Sequence, residues 1–297
     1  MTRPYLIITV LLLPLLLSGC GPQVELGVAV DRMMEKLSEV KQVEAVGQLK
    51  LVGESETAIF NGLKELVADF TAKADFANLD KLRFSLTLNL SGQAPEGATK
   101  IGAEIRGLPD YTYFRVKEAN APSGSPLSIT SDARWYKVKN PEVSSGNVLG
   151  GGNRLTNEDG IKIRELIRSA KLFTVQTVLS DEVIKGVRSY HLAALIDQSA
   201  LSDLLDAIQL VTGERVVLDR AKLMRLASDY TYDLYISRRD YHLVKLIAHG
   251  NLSTAGQSES VLEILFSRFD SPVGVVAPSE VKEFNINDLL KSPLGQL

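Results

Sequence analysis

Cysteine is almost missing from this chain: Cys20 is the only one in 297 residues. One thiol excludes an intrachain disulfide and a C-x-x-C redox or zinc motif. Histidine is nearly as scarce, with His191, His242 and His249 alone. There is no H-E-x-x-H helix and no G-x-S-x-G elbow. Clustered Asp/Glu of a calcium loop is also missing. No cofactor or metal is expected, and no enzyme class finds its nucleophile, base or ligand set. Excess positive charge is lacking too. Lys and Arg number 33 against 36 Asp and Glu, for a net charge of −3. That excludes the electrostatic footprint of a nucleic-acid binder and a polybasic patch for anionic lipid. No apolar run reaches the roughly 20 residues that span a bilayer. Gly150-Gly151-Gly152 is followed by no GK[ST], so a surface loop is expected there and not a phosphate cradle.

What is present begins at that one cysteine. Arg3 supplies a positive n-region, and Tyr5 to Leu17 form a short apolar h-region broken by Thr9 and Pro14. Ser18 and Gly19 are the small residues a peptidase cleft needs. Leu17-Ser18-Gly19-Cys20 therefore reads as a lipobox, with residues 1–19 the signal peptide and Cys20 the lipidation site. An ordinary secretory signal or an uncleaved anchor is the competing reading. A diacylglyceryl thioether with its palmitate-type chains supplies the two or more acyl groups that stable anchoring requires. The expected location is extracytoplasmic, lipid-anchored to the cell membrane through residues 20–27. Inner and outer membrane are not distinguished. Residues 28–297 are expected to form one domain.

Periodicity sets the fold class. Val30, Met33, Leu37 and Val40 recur at helical spacing over 28–41. The period then becomes two. Leu66, Ala68, Phe70, Ala72, Ala74 and Phe76 alternate with mostly polar residues, as do Phe84, Leu86, Leu88 and Leu90, then Ile101, Ala103 and Ile105. Such segments are half-wet antiparallel strands. Leu49 and Leu51 begin the series, while 111–117 and 134–139 are shorter members. A polar, glycine-rich bridge surrounds the latter across 119–155. Thr156 with Asp159 predicts a capping box for a helix over 157–170. Strands are expected at 172–179 and 187–196, and helices near 199–211 and 215–227. A meander follows at 230–238, 243–251 and 261–269. The carboxylate pairs Glu158-Asp159 and Asp181-Glu182 read as helix-start and turn residues. His191 and His249 are expected to point outward or satisfy a neighbour. The expected class is α+β: an open curved antiparallel sheet of nine or ten strands, covered by an N-terminal helix and inserted helices.

The inner face holds the candidate site. Ala68, Ala72, Ala74 and Ala103 leave volume there. If the helices do not fill it, an apolar cavity remains, lined also by Phe70, Phe76, Phe84, Leu86 and Leu88. A filled core with alanines against helix backbone is the other reading.

Three segments carry a resemblance to a known family. Asp181 to Leu192 is similar to an E-x-V-x-G-V-x-x-Y-H strand pair, Tyr232 to His249 to an aromatic meander followed by L-V-K-L, and Phe266 to Pro278 to a closing edge strand. Together they resemble the LolA/LolB-like half-barrel lipoproteins, especially the LppX/LprG-type branch. The chain departs from that branch at Tyr235 and Arg239, where Trp and an acidic residue are expected. The resemblance implies a half-barrel around an apolar cavity that binds or carries lipids, acyl chains or acylated partners. The alternative is a non-enzymatic sensor or assembly module that binds a protein at the cell envelope.

Overall fold

A computed structural model describes residues 26–53, 65–94, 97–120, 132–140, 156–213, 219–251 and 259–284. Helix α1 is Leu26–Glu39. Strands β1 (Gln42–Val52), β2 (Glu65–Asp75), β3 (Arg83–Ala94), β4 (Gly97–Gly107), β5 (Tyr111–Asn120) and β6 (Asp132–Lys139) follow as one meander, with a 3-10 turn at Leu79–Lys81. Helix α2 is Asn157–Ser169. Strands β7 (Phe173–Ile184) and β8 (Val187–Ile196) lead to α3 (Gln198–Thr212) and α4 (Arg220–Ser228). A second meander, β9 (Tyr230–Ser237), β10 (Leu243–Asn251) and β11 (Glu259–Ser267), precedes the short β12 (Val281–Glu283).

All twelve strands belong to one sheet, ordered β12-β6-β5-β4-β3-β2-β1-β11-β10-β9-β8-β7. Every pair is antiparallel except β12 with β6. The class is the expected one, an open α+β half-barrel, with two or three strands more than expected. Two corrections concern local features. Phe266 to Pro278 is no edge strand: β11 lies centrally between β1 and β10, and 268–280 runs on without strand pairing to β12. Asp181 and Glu182 are strand residues, because β7 continues to Ile184 before Lys185 and Gly186, both at positive φ, turn the chain into β8.

Local chemistry places the helices. Thr156 Oγ1 accepts from the Asp159 amide at 3.1 Å, and Asp159 Oδ2 accepts from the Thr156 amide at 2.8 Å, completing the capping box of α2. Asp197 caps α3 by accepting from the Ala200 amide at 2.9 Å. Met33 and Met34 of α1 are buried with Leu192 and Ala194 of β8 and Leu234 and Ile236 of β9. Helix α1 packs on β7 and β9, α4 on β8, and α2 on α1 and the 3-10 turn. The main helical cover thus lies over the β7–β9 side of the sheet.

Candidate functional site

Register fixes what faces inward. In the row Gly47, Phe70, Leu88, Ala103, each residue pairs with the next across β1 to β4. A second row runs Ala45, Ala72, Leu86, Ile105, and a third Val43, Ala74, Phe84, Gly107. Eight of the nine expected lining residues share these inward rows or the adjoining Leu49–Ala68–Leu90 row. Ala68 is buried, whereas Phe70, Ala72, Ala74, Phe84, Leu86, Leu88 and Ala103 remain half-buried. Two of the large rings reach over neighbouring glycines. Phe70 covers Gly47, and Phe84 covers Gly107, at positions where a β-carbon would collide with the ring. At the β5–β6 end of this apolar trough, Phe114 packs against Tyr136 and Phe284, with ring centroids 5.7 and 5.0 Å away.

Beside the third row the trough meets a cavity of about 380 Å³. Its walls come from distant parts of the chain. Leu37 comes from the last turn of α1 and Val40 from just after it, Val43 from β1, Phe76 and Leu79 from the segment after β2, Ile163 and Ile167 from α2, and Phe266 from β11. Among the described residues the lining is apolar apart from Ser38 and Arg164. The volume lies within the usual range for small-molecule pockets, roughly 300–1,000 Å³. Leu37 explains itself here. It belongs to the apolar stripe of α1 but stays 42% exposed, because the space it faces is open. Gly160 of α2 lets Leu79 approach the helix, since a β-carbon there would meet the Leu79 side chain.

Of the nine residues expected to line a cavity, Phe76 lines this one, and the others form the adjoining sheet face. The α1, α2 and β11 contributions had no signal of their own in the sequence. Cys20 lies outside the described residues, as does the triple glycine.

The outer face is polar. Gln48 donates to Asp69 at 2.8 Å, Lys50 pairs with Glu65 at 3.0 Å, and Lys245 with Glu263 at 2.9 Å. Glu104 holds both Arg115, at 2.8 Å, and Lys117. Burial alone would push the Glu104 carboxyl up, but these two cations outweigh it and hold it below its ordinary value. Trp135 sits between Arg106 and Arg115, each 4.6 Å from the ring.

The histidines also face away from the trough or lie in turns. His191, on β8, stacks on Tyr235 of β9 with centroids 4.2 Å apart. Its ring nitrogens lie 3.3 Å from Glu182 and from Asp233. His249 reaches the same Asp233 at 3.3 Å, so both histidines do have acidic neighbours. His242 stacks on Phe269. Tyr235 is buried beneath this cluster. Burial, reinforced by Glu182, Asp233 and Glu263, pushes its hydroxyl up to about 12. Among the described residues, no group of three or more His, Cys, Asp or Glu is placed to hold a metal. Nor is any described helix long and apolar enough to cross a membrane.

No family model matches the chain, and no curated protein matches it in sequence. Solved structures do. The lipoprotein LppX of Mycobacterium tuberculosis aligns with 84% of this chain over 97% of its own, at 12% identity and a TM-score of 0.36. LprF of Mycobacterium bovis aligns with 85% over 96%, at 10% identity and a TM-score of 0.42. A Vibrio parahaemolyticus domain named for outer membrane lipoprotein sorting aligns with 83% over 93%, at 11% identity and a TM-score of 0.22.

Proposed function

We propose that this protein is an envelope lipoprotein, anchored through Cys20, that binds an acyl chain without transforming it. One observation carries the reading: an apolar cavity of about 380 Å³ bounded by α1, α2 and the sheet and continuous with a half-covered apolar trough. An acyl chain needs no polar motif to enter such a space. Each methylene removed from water contributes about 0.8 kcal/mol, so eight methylenes supply roughly 6 kcal/mol before the cost of ordering the chain. The rigid sheet forms the floor, and α1 and α2 form the lip. The palmitate-type chains on Cys20 would keep the domain within a few residues' reach of the bilayer, where such ligands reside.

Native mass spectrometry of the purified domain lacking residues 1–20 tests this. The expected result is a bound acyl species, or stoichiometric uptake of added fatty acid or lysolipid. Protein that neither copurifies with nor takes up any acyl ligand would overturn the reading. Stoichiometric capture of an envelope protein in place of lipid would support the alternative, a non-enzymatic sensor or assembly module.

A further inference from the structure

Among the described residues, the cavity wall contains one charge. Arg164 sits on α2 between Ile163 and Ile167, both of which face the same space. Its guanidinium donates through Nη2 to the carbonyl oxygen of Phe76, at 2.5 Å. Among the described residues that carbonyl is its one polar partner, and no carboxylate pairs with it. Arg106 likewise donates to a backbone carbonyl, of Val276, but it lies on the Trp135 ring and not in this cavity. Arg115, Arg188, Arg220, Arg238 and Arg268 each reach an Asp or Glu. Arg164 is half-buried against apolar side chains with its charge uncompensated. Such a cation forfeits hydration that the one carbonyl replaces only in part. A guanidinium has five N–H donors in a planar fork, and Phe76 uses one of them.

We infer that the cavity takes an amphiphile with an anionic head, a carboxylate or phosphate, and that Arg164 binds that head while the acyl tail lies along Val43, Phe76 and Phe266. This deepens the acyl-binding reading and rests on it. The fork of Arg164 matches the two oxygens of a carboxylate or phosphate, and such paired, charge-assisted hydrogen bonds are stronger than neutral ones. The site would therefore distinguish an acid from its neutral isostere of equal tail length. The apolar walls alone could not do so.

The test is calorimetric titration of the domain lacking residues 1–20 with two matched pairs: oleate against oleyl alcohol, and 1-oleoyl lysophosphatidate against 1-mono-oleoylglycerol. The wild-type protein is expected to bind the acid of at least one pair tenfold or more tightly than its neutral partner, a size typical of a hydrogen bond to a charged group. The pair showing the larger preference tells a free fatty acid from a phospholipid headgroup. In Arg164→Gln the preference is expected to fall to about twofold or less. Arg164→Lys, which keeps the charge but loses the fork, should retain an intermediate preference, and it serves if the glutamine variant does not fold. Raising the salt concentration should weaken the acids and spare the neutral ligands. Equal binding of acid and neutral ligand to wild type would overturn the Arg164 assignment and leave the acyl cavity standing. So would a preference that survives Arg164→Gln. Failure of all four ligands to bind would sink both readings together.

Discussion

The ring of Phe70 lies directly over Gly47, its register partner on the neighbouring strand, and occupies the space a β-carbon would need. The carbonyl oxygen of Glu263 closes the same space from the other side. Gly47→Ala must therefore displace a ring or a backbone. It is expected to destabilise the fold by about 1–3 kcal/mol, the usual cost of overpacking. Chemical denaturation would measure it. The displaced ring would rise into the trough, so acyl uptake should fall as well. An unchanged midpoint would show that the ring has room to move.

Filling the cavity should separate binding from folding. Ile163 faces the empty space from α2. Ile163→Trp is expected to reduce acyl uptake several-fold while shifting Tm by only a few degrees, because the added ring occupies volume that no side chain uses. Native mass spectrometry and a thermal melt on the same sample check both halves. Full uptake by this variant would mean that the ligand lies elsewhere.

Glu104 gives an acid-side prediction. Its carboxyl is held below the ordinary value of 4.5 by Lys117 and Arg115, against the opposing effect of burial. A depressed folded-state pKa stabilises only while the group is ionised. The contribution is thus complete above about pH 4.5 and fades as pH falls through the lower, folded-state value. Glu104→Gln should cost on the order of 1 kcal/mol at pH 7 and progressively less below pH 4. Denaturant melts across that range would show the two curves converging. A gap that stays constant with pH would locate the loss in packing.

Tyr235 gives the alkaline counterpart. Its hydroxyl is pushed up to about 12 by burial and then by Glu182, Asp233 and Glu263. A raised pKa gives stability that is complete below the unfolded value, near 10, and that is lost as pH rises through 12. Absorbance titration of the tyrosinate band should show a late step near pH 12 to which Tyr235 and Tyr232 contribute. In Tyr235→Phe that late step should shrink by one tyrosine. Ionisation of Tyr235 near pH 10 would show that solvent reaches the ring beneath His191.

The anchor is tested by one substitution. Cys20→Ser should abolish incorporation of labelled palmitate and release the domain from membranes, leaving its melting curve unchanged. Label retained on the serine variant, or absent from the wild type, would refute the lipobox.

Much of the sheet was legible because Phe, Leu, Ile and Ala alternate along β2, β3 and β4. The start of β1 was not, since Ala45 and Gly47 are too small to carry a hydrophobic period and Gly47 leaves its place to a ring from β2. Strand β7 ran longer than its pattern because most of it, 176–183, is exposed throughout at the sheet's edge and shows no alternation. The trough could be read from alternation within single strands. The cavity could not, because Leu37, Leu79, Ile163 and Phe266 come from four separate elements and meet only when the sheet curves under α1 and α2.

The seam between β1 and β11 has a consequence for how the molecule is made. Each meander can zip up from neighbours in sequence, but the two are joined through the pairing of β1 with β11, which runs from Val52–Glu259 to Glu44–Ser267, the last pair 223 residues apart. That closure carries the largest loop entropy in the sheet and rewards it last. Until it forms, the inward side of β1 faces no second strand, and neither does that of β11. A chain delivered N-terminus first would therefore hold a finished half-sheet with one raw apolar margin while the rest arrives. The side chains that later shape the cavity at Val43 and Phe266 stand on those two margins. The binding space is absent from either half alone, and it comes into being in the same step that ends folding.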